Sequence, residues 1–262
     1  MGSTNFKEKY GKYALVAGGS DGLGAAFAEA IARRGLDLIL IARQKERLDA
    51  TAARIREAYG VEVIAISADM ADFENVRRSI DALEVSIGLL VYNAAYAPIG
   101  LLENLGEDEL KLTTDVNVKT PLLLVRHLSA SMIQQKQGGI VLMSSLSGAV
   151  GCPNIAAYSA TKAFNTILAE SLWMELKPHG IDVIACCAGA VLTPGYRQAA
   201  KTKTAPGALD ADAVAEKTLR ALGRGPKTIP GTINKAANFV LTRLLCRKAA
   251  VYIMSKNTGG LA

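Results

Sequence analysis

The chain has 262 residues, half of them apolar, which is ample for a large core. Its formal charge of +6 is uneven: residues 1–196 carry 18 basic against 21 acidic groups, and residues 197–262 carry 12 against 3. No apolar run reaches the roughly 18 residues of a membrane span, the first nine residues hold no signal-type apolar segment, and two histidines argue against a histidine-rich metal site.

Short apolar runs alternate with longer amphipathic stretches. Residues 13–17 read as a buried strand, 23–34 as a helix and 36–42 (LDLILIA) as a second strand. A charged helix over 44–59 precedes a third strand at 61–67. A helix over 73–85 precedes a fourth strand at 88–92. A long helical region spans 107–135, with a break or bend expected near Pro121. A fifth strand at 140–144, a helix at 157–177 closed by Pro178 and Gly180, and a sixth strand at 181–187 follow. Residues 189–208, with their glycines and prolines, read as a lid or binding loop. A helix at 210–222, a short strand at 227–230 and a basic amphipathic helix at 234–255 complete the chain.

Continuous apolar strands separated by helices indicate a parallel sheet covered on both faces. The expectation is one α/β domain over 1–262, a doubly wound Rossmann-like sheet of about seven strands. Cys152, Cys186, Cys187 and Cys246 lack zinc-ligand spacing and read as buried thiols in a reducing compartment. In a strand, Cys186 and Cys187 point to opposite faces. No metal is expected, and the cytoplasm is the default location.

Gly18, Gly22 and Gly24 lie between the first strand and first helix, in AGGSDGLG. Glycine allows a sharp turn and close approach to a pyrophosphate, and a helix N-terminus attracts phosphate. The spacing is G-x-x-x-G-x-G rather than the common G-x-G-x-x-G. The second strand ends at Ala42-Arg43, where an acidic residue would bind the adenosine ribose hydroxyls. Arg43 suits a phosphate instead, and Ser20 adds a hydroxyl, so NADP(H) is favoured over NAD(H). Asp21 adds some unfavourable charge.

Tyr158 and Lys162 stand four apart, on one face of a helix. A cation beside a phenol lowers its pKa, and a phenol so tuned can exchange a proton near neutrality. Ser145 lies thirteen residues upstream.

Together these motifs resemble the short-chain dehydrogenase/reductase family over nearly all of residues 10–195. In order come the glycine turn at 17–24, which includes Leu23, then Asp69 and Met70, Asn93 and Ala94, Asn117, Ser145, Tyr158 and Lys162. Gly189, Val191 and Thr193 resemble the family's nicotinamide-contacting segment. The chain departs from the family pattern at Ala17, at Tyr92 and Ala95, and at Ala188. The resemblance implies that Tyr158 is the acid and base and that Lys162 binds the nicotinamide ribose and lowers the tyrosine pKa. It implies that Ser145 holds the substrate oxygen and that Asn117 helps hold a relay water. It further suggests a homodimer or homotetramer through the helices at 107–135 and 157–177.

Residues 95–102, 146–155 and 189–208 should contact substrate. Ala97, Pro98, Ile99, Leu101, Val150, Pro153 and Ile155 make that surface apolar, so the expected substrate is a small hydrophobic ketone or secondary alcohol. The stretches KEKYGKYALVAGGSDGLG and RLLCRKAAVYIMS look similar to the hydroxysteroid dehydrogenase and 3-oxoacyl reductase branch. One competing reading is a catalytically silent NADP-binding sensor or scaffold, against which the intact Asn117, Ser145, Tyr158 and Lys162 argue. Another is a protein that makes peripheral membrane contact through the basic C-terminal helix. Nucleic acid is not expected, since no basic motif is interleaved with stacking aromatics.

Overall fold

In the computed structural model, which describes residues 3–199 and 205–259, seven strands form one parallel sheet. They are β1 (Tyr13–Ala17), β2 (Asp37–Ala42), β3 (Val63–Ser67), β4 (Ile87–Tyr92), β5 (Gly138–Ser145), β6 (Ile181–Ala188) and β7 (Lys227–Thr228). Their order is β3-β2-β1-β4-β5-β6-β7. The winding reverses between β1 and β4, which opens a crevice at the carboxyl ends of these strands.

The pleat separates two cores. On β1, Ala14 and Val16 face one core while Tyr13, Leu15 and Ala17 face the other. Cys186 and Cys187 likewise enter opposite cores, as alternation requires. The first core packs helices α1 (Ser3–Tyr10), α2 (Gly22–Ala32) and α3 (Lys45–Tyr59) against the sheet, together with α9 (Ala211–Ala221). The second packs α4 (Phe73–Asp81), α6 (Thr120–Gln135) and α7 (Ala156–Leu176). Helix α5 (Glu107–Thr114) packs against α7, and α8 (Pro194–Ala199) follows β6.

Several expected elements differ in detail. Helix α1 is additional. Its Phe6 and Tyr10, one turn apart, are buried, and the Tyr10 hydroxyl donates to Asp182 Oδ2 at 2.7 Å. Burial, with that carboxylate beside it, drives the Tyr10 pKa well up. The break or bend expected near Pro121 takes the form of a wide π-type turn at Asp115–Lys119, after which Pro121 sits in the first turn of α6, where its missing N–H costs nothing. The helix expected over 73–85 stops at Asp81. The segment at 189–208 contains α8, and its residues 200–204 lie outside the described residues.

The single basic helix expected at 234–255 is broken. Helix α10 (Thr232–Phe239) runs into a π-type turn at Val240–Leu244, and α11 (Arg247–Thr258) starts afresh after extended backbone at Leu245 and Cys246. Cys246 is exposed there, whereas Cys152, Cys186 and Cys187 are buried as expected.

Candidate active site

Where β1 ends, the chain turns under tight steric limits. Gly18 has φ +79°, and a Cβ there would lie 2.9 Å from the Ala94 backbone. A Cβ on Gly24 would overlap the Gly18 carbonyl oxygen. The turn therefore lies directly against the chain leaving β4. The Asn93 and Ala94 N–H groups both donate to Ala17 O, at 3.0 and 2.8 Å, and Asn93 Nδ2 donates to Gly18 O at 3.1 Å.

Asp21 caps α2, accepting from Gly22 N at 2.6 Å, and lies 3.6 Å from Arg47. Its charge is thus engaged by a helix start and a cation. Thr51 fixes the Ser20 carbonyl at 2.8 Å. Leu23 packs against the first core.

Gly18, Ser20, Arg43, Asp69, Met70, Asn93 and Ala94 line one cleft at the β1–β4 crevice, with a volume of about 320 Å³. Arg43 is exposed on its rim, 3.9 Å from Asp69 Oδ2. Opposite, Thr193 approaches Gly22 so closely that a Cβ there would lie 3.0 Å from the Thr193 methyl. Val191 bridges to Leu209, and Thr193 N donates to Val191 O at 2.8 Å. Gly189 lies against Asn234. A glycine-floored turn, a helix start and a rim arginine fit a phosphorylated dinucleotide.

Ser145 closes β5, and α7 carries Tyr158 and Lys162 past it. The contact is close: a Cβ on Gly148 would lie 2.7 Å from the backbone between Lys162 and Ala163. Ser144, pointing the other way from Ser145, donates to Lys162 O at 2.7 Å. Lys162 is 3 % exposed, and its Nζ donates to Met143 O at 2.9 Å. The helix is thus pinned to the strand by side chain and backbone at one position.

Asn117 sits in the π-type turn, fully buried. Its Oδ1 accepts from Tyr96 N at 2.8 Å, while its Nδ2 donates to Tyr96 O at 2.7 Å and Thr161 Oγ1 at 3.1 Å. Thr161 Oγ1 in turn donates to Tyr158 O at 2.7 Å. Asn117 therefore couples the loop after β4 to the turn of α7 that bears the tyrosine.

The electrostatics differ from expectation. Burial pushes the half-buried Tyr158 hydroxyl up to about 12, opposed by its hydrogen bond with Ser145. Lys162 Nζ lies 5.4 Å from the tyrosine ring centroid and does not hold the phenol down. Instead burial pulls Lys162 itself down to about 8. The expected lowering of the tyrosine pKa by Lys162 is therefore not a property of this geometry, because both groups are desolvated and the ammonium is turned to a backbone carbonyl.

Thr161 and Asn234 also shape the site without having been anticipated, while Ser147 and Tyr96 fall in the stretches expected to contact substrate but bond to Ser145 and Asn117 instead. Ser147 donates from N and Oγ to Ser145 Oγ, at 3.2 and 3.0 Å. Asn234 is buried and donates to Gly207 O and Pro230 O at 3.0 and 2.9 Å, holding the loop after β6. Ser147, two residues from Ser145, carried a local signal in the sequence.

Residues 12–204 match the short chain dehydrogenase family. The chain belongs to that family. It is 28% identical over 234 residues to a 7beta-hydroxysteroid dehydrogenase of Clostridium sardiniense, spanning 88% of this chain and 90% of that protein. It is 36% identical to the inactive hydroxysteroid dehydrogenase-like protein 1 of Homo sapiens, over 67% of this chain but 54% of the human protein. A solved 7beta-hydroxysteroid dehydrogenase superposes with a TM-score of 0.89 at 27% identity, covering 95% of this chain and 98% of the other. A short-chain dehydrogenase from Sphingobium yanoikuyae, solved in complex with NADPH, gives 0.76 at 33% identity, covering 84% and 87%.

Proposed function

We propose that this short-chain dehydrogenase is an NADP(H)-dependent oxidoreductase that interconverts a ketone and a secondary alcohol on a hydrophobic, steroid-like or oxoacyl-like substrate. The observation that carries the reading is the grouping of Ser145, Tyr158 and Lys162 beside the glycine-floored cleft. The hydroxysteroid dehydrogenase relatives and the apolar loops at 95–102 and 146–155 support the substrate class. Arg43 at the cleft rim and the NADPH-bound relative support the cofactor.

When bound, the nicotinamide supplies the hydride. Ser145 Oγ accepts two hydrogen bonds from Ser147, and its own O–H, which meets the Tyr158 hydroxyl in the free chain, is placed to donate to a substrate oxygen and stabilise charge there. Tyr158, with its pKa at about 12, is protonated at neutral pH and gives its proton to the same oxygen during reduction. Lys162 is the ribose-binding cation, delivered by α7 at a fixed height above β5. Asn117 holds the relay water and keeps the tyrosine's turn in register with the loop after β4. Gly189, Val191 and Thr193 meet the nicotinamide end.

Tyr158→Phe is expected to lower turnover by at least about a hundredfold while NADPH binding persists. Full activity in that variant sinks the mechanism. The inactive-named relatives favour a second reading, a silent NADP-binding sensor or scaffold. It predicts NADPH binding with no turnover in the unmodified chain.

We further infer a homodimer or homotetramer through α5–α6 and α7, whose Leu122, Ile167 and Met174 are exposed large apolar residues. Among the described residues no helix is long and apolar enough to cross a membrane. A cytoplasmic location remains part of the proposed reading, and peripheral membrane contact would fall to α10, the turn at Val240–Leu244 and α11, where Phe239 and Leu244 are exposed and the sequence carries Arg243 and Lys248.

A further inference from the structure

Asn154 lies between the Ser145 turn and α7, and it is one of three non-glycine residues with positive φ among the described residues, at +65°. Asparagine tolerates this left-handed conformation better than most residues. Its carbonyl accepts from Gly100 N at 2.8 Å, which ties the loop at 95–102 to the loop at 146–155. Its Nδ2 donates to Thr258 O at 3.1 Å, at the end of α11.

The other end of α11 is fastened to the same loop. Arg247 Nη1 donates to Ala149 O at 2.7 Å. Between the two anchors, Ala250 is buried, and Val251 lies 3.8 Å from where a Cβ on Gly151 would be. Helix α11 is therefore a strap across the back of residues 149–154, with Arg247 at one end and Asn154 at the other. By contrast, Ile99, Leu101 and Leu102 are 45–55% exposed, so side-chain burial does little to hold their loop. Asn117 holds the start of the loop at Tyr96 and Pro98 is buried, but the part beyond them is tied down by the Gly100 bond to a residue that α11 itself holds.

We propose that Asn154 is a positioning residue for substrate selection. It clasps the loops at 95–102 and 146–155 to α11 and so sets the width of the cleft between them. This rests on the reading above that these two loops contact substrate. The clasp acts on the cleft walls alone, since neither Asn154 nor α11 lines the dinucleotide cleft.

Asn154→Gly isolates the side chain. Glycine accepts the positive φ, and the backbone carbonyl remains for Gly100, so only the bond to Thr258 is lost. With NADPH saturating, KM for a bulky apolar ketone is expected to rise about tenfold, the upper range for one hydrogen bond. Values of kcat and NADPH affinity should stay within about twofold, and small ketones should be little affected. Amide exchange in residues 98–102 and 149–155 should quicken while the sheet is unchanged. Adding Arg247→Ala should cost much less than it does in the unmodified chain, because the strap is already loose. Unchanged KM with unchanged exchange overturns the proposal. So does a parallel fall in NADPH affinity and melting temperature, which marks a merely structural role. If the unmodified enzyme turns over no ketone, the reaction reading fails and exchange alone decides the clasp: quickening in both loops upholds it, and no change in either overturns it.

Discussion

Lys162 is a cation buried at 3 % exposure, with a backbone carbonyl rather than a carboxylate as its partner. Its folded pKa of about 8 lies below its ordinary 10.5, so between these values the unfolded chain binds more protons and stability rises with pH. From pH 8 to 9 the gain is about 1 kcal/mol. From about pH 8 upward the buried Cys152 and Cys186, raised to about 11 and about 12 from an ordinary 9.0, act in the opposite sense, so the lysine's contribution is read as a difference between two proteins. In urea unfolding, Lys162→Met should gain less or lose more stability between pH 8 and 9 than the unmodified chain, by about 1 kcal/mol; an identical slope in both proteins contradicts the burial argument. Arg43→Ala tests the cofactor reading. Loss of a charge-assisted contact to a 2′-phosphate should weaken NADPH binding about 10- to 100-fold, with NADH affected little. Equal losses for both remove the basis for the NADP(H) choice. The individual residues were legible because the glycine turn, Arg43, Ser145, Tyr158 and Lys162 are local signals of residue type and spacing. The direction of the tyrosine's pKa was not, because desolvation depends on what three-dimensional packing brings around the pair.

At the level of elements, six strands could be placed to within one or two residues from apolar runs alone, since strands buried on both faces carry that pattern. Helix α1 escaped notice because STNFKEKY holds only two apolar side chains, Phe6 and Tyr10. Its helix is fixed by distant partners on β6, where Asp182 receives the Tyr10 hydroxyl and pairs with Lys9. Tyr10→Phe should lower stability by about 1 kcal/mol with kcat unchanged, measured by thermal unfolding and NADPH turnover. No loss of stability refutes the role of that bond. The break in the C-terminal helix was equally hidden. LTRLLCRKAA has no proline or glycine, and the extended Leu245 and Cys246 are set by the docking of α11 behind the loop at 149–154. That break is what turns one amphipathic helix into a strap.

Across the whole molecule, chemistry gathers at the carboxyl ends of β1, β4, β5 and β6, where the reversal in strand order leaves a crevice. The sheet order follows from sequence pattern plus general winding rules. The links between layers, such as Asn117 to Tyr96 or Asn234 to Gly207, join residues 21 and 27 positions apart and leave no periodic trace. The most direct test of the account is the absorbance of NADPH during incubation of the purified chain with steroid, oxoacyl and small aromatic ketones, beside Tyr158→Phe. The account predicts NADPH oxidation with a bulky apolar ketone by the unmodified chain and none by the variant. Tight NADPH binding with no oxidation by any ketone would contradict it and favour a silent nucleotide-binding protein.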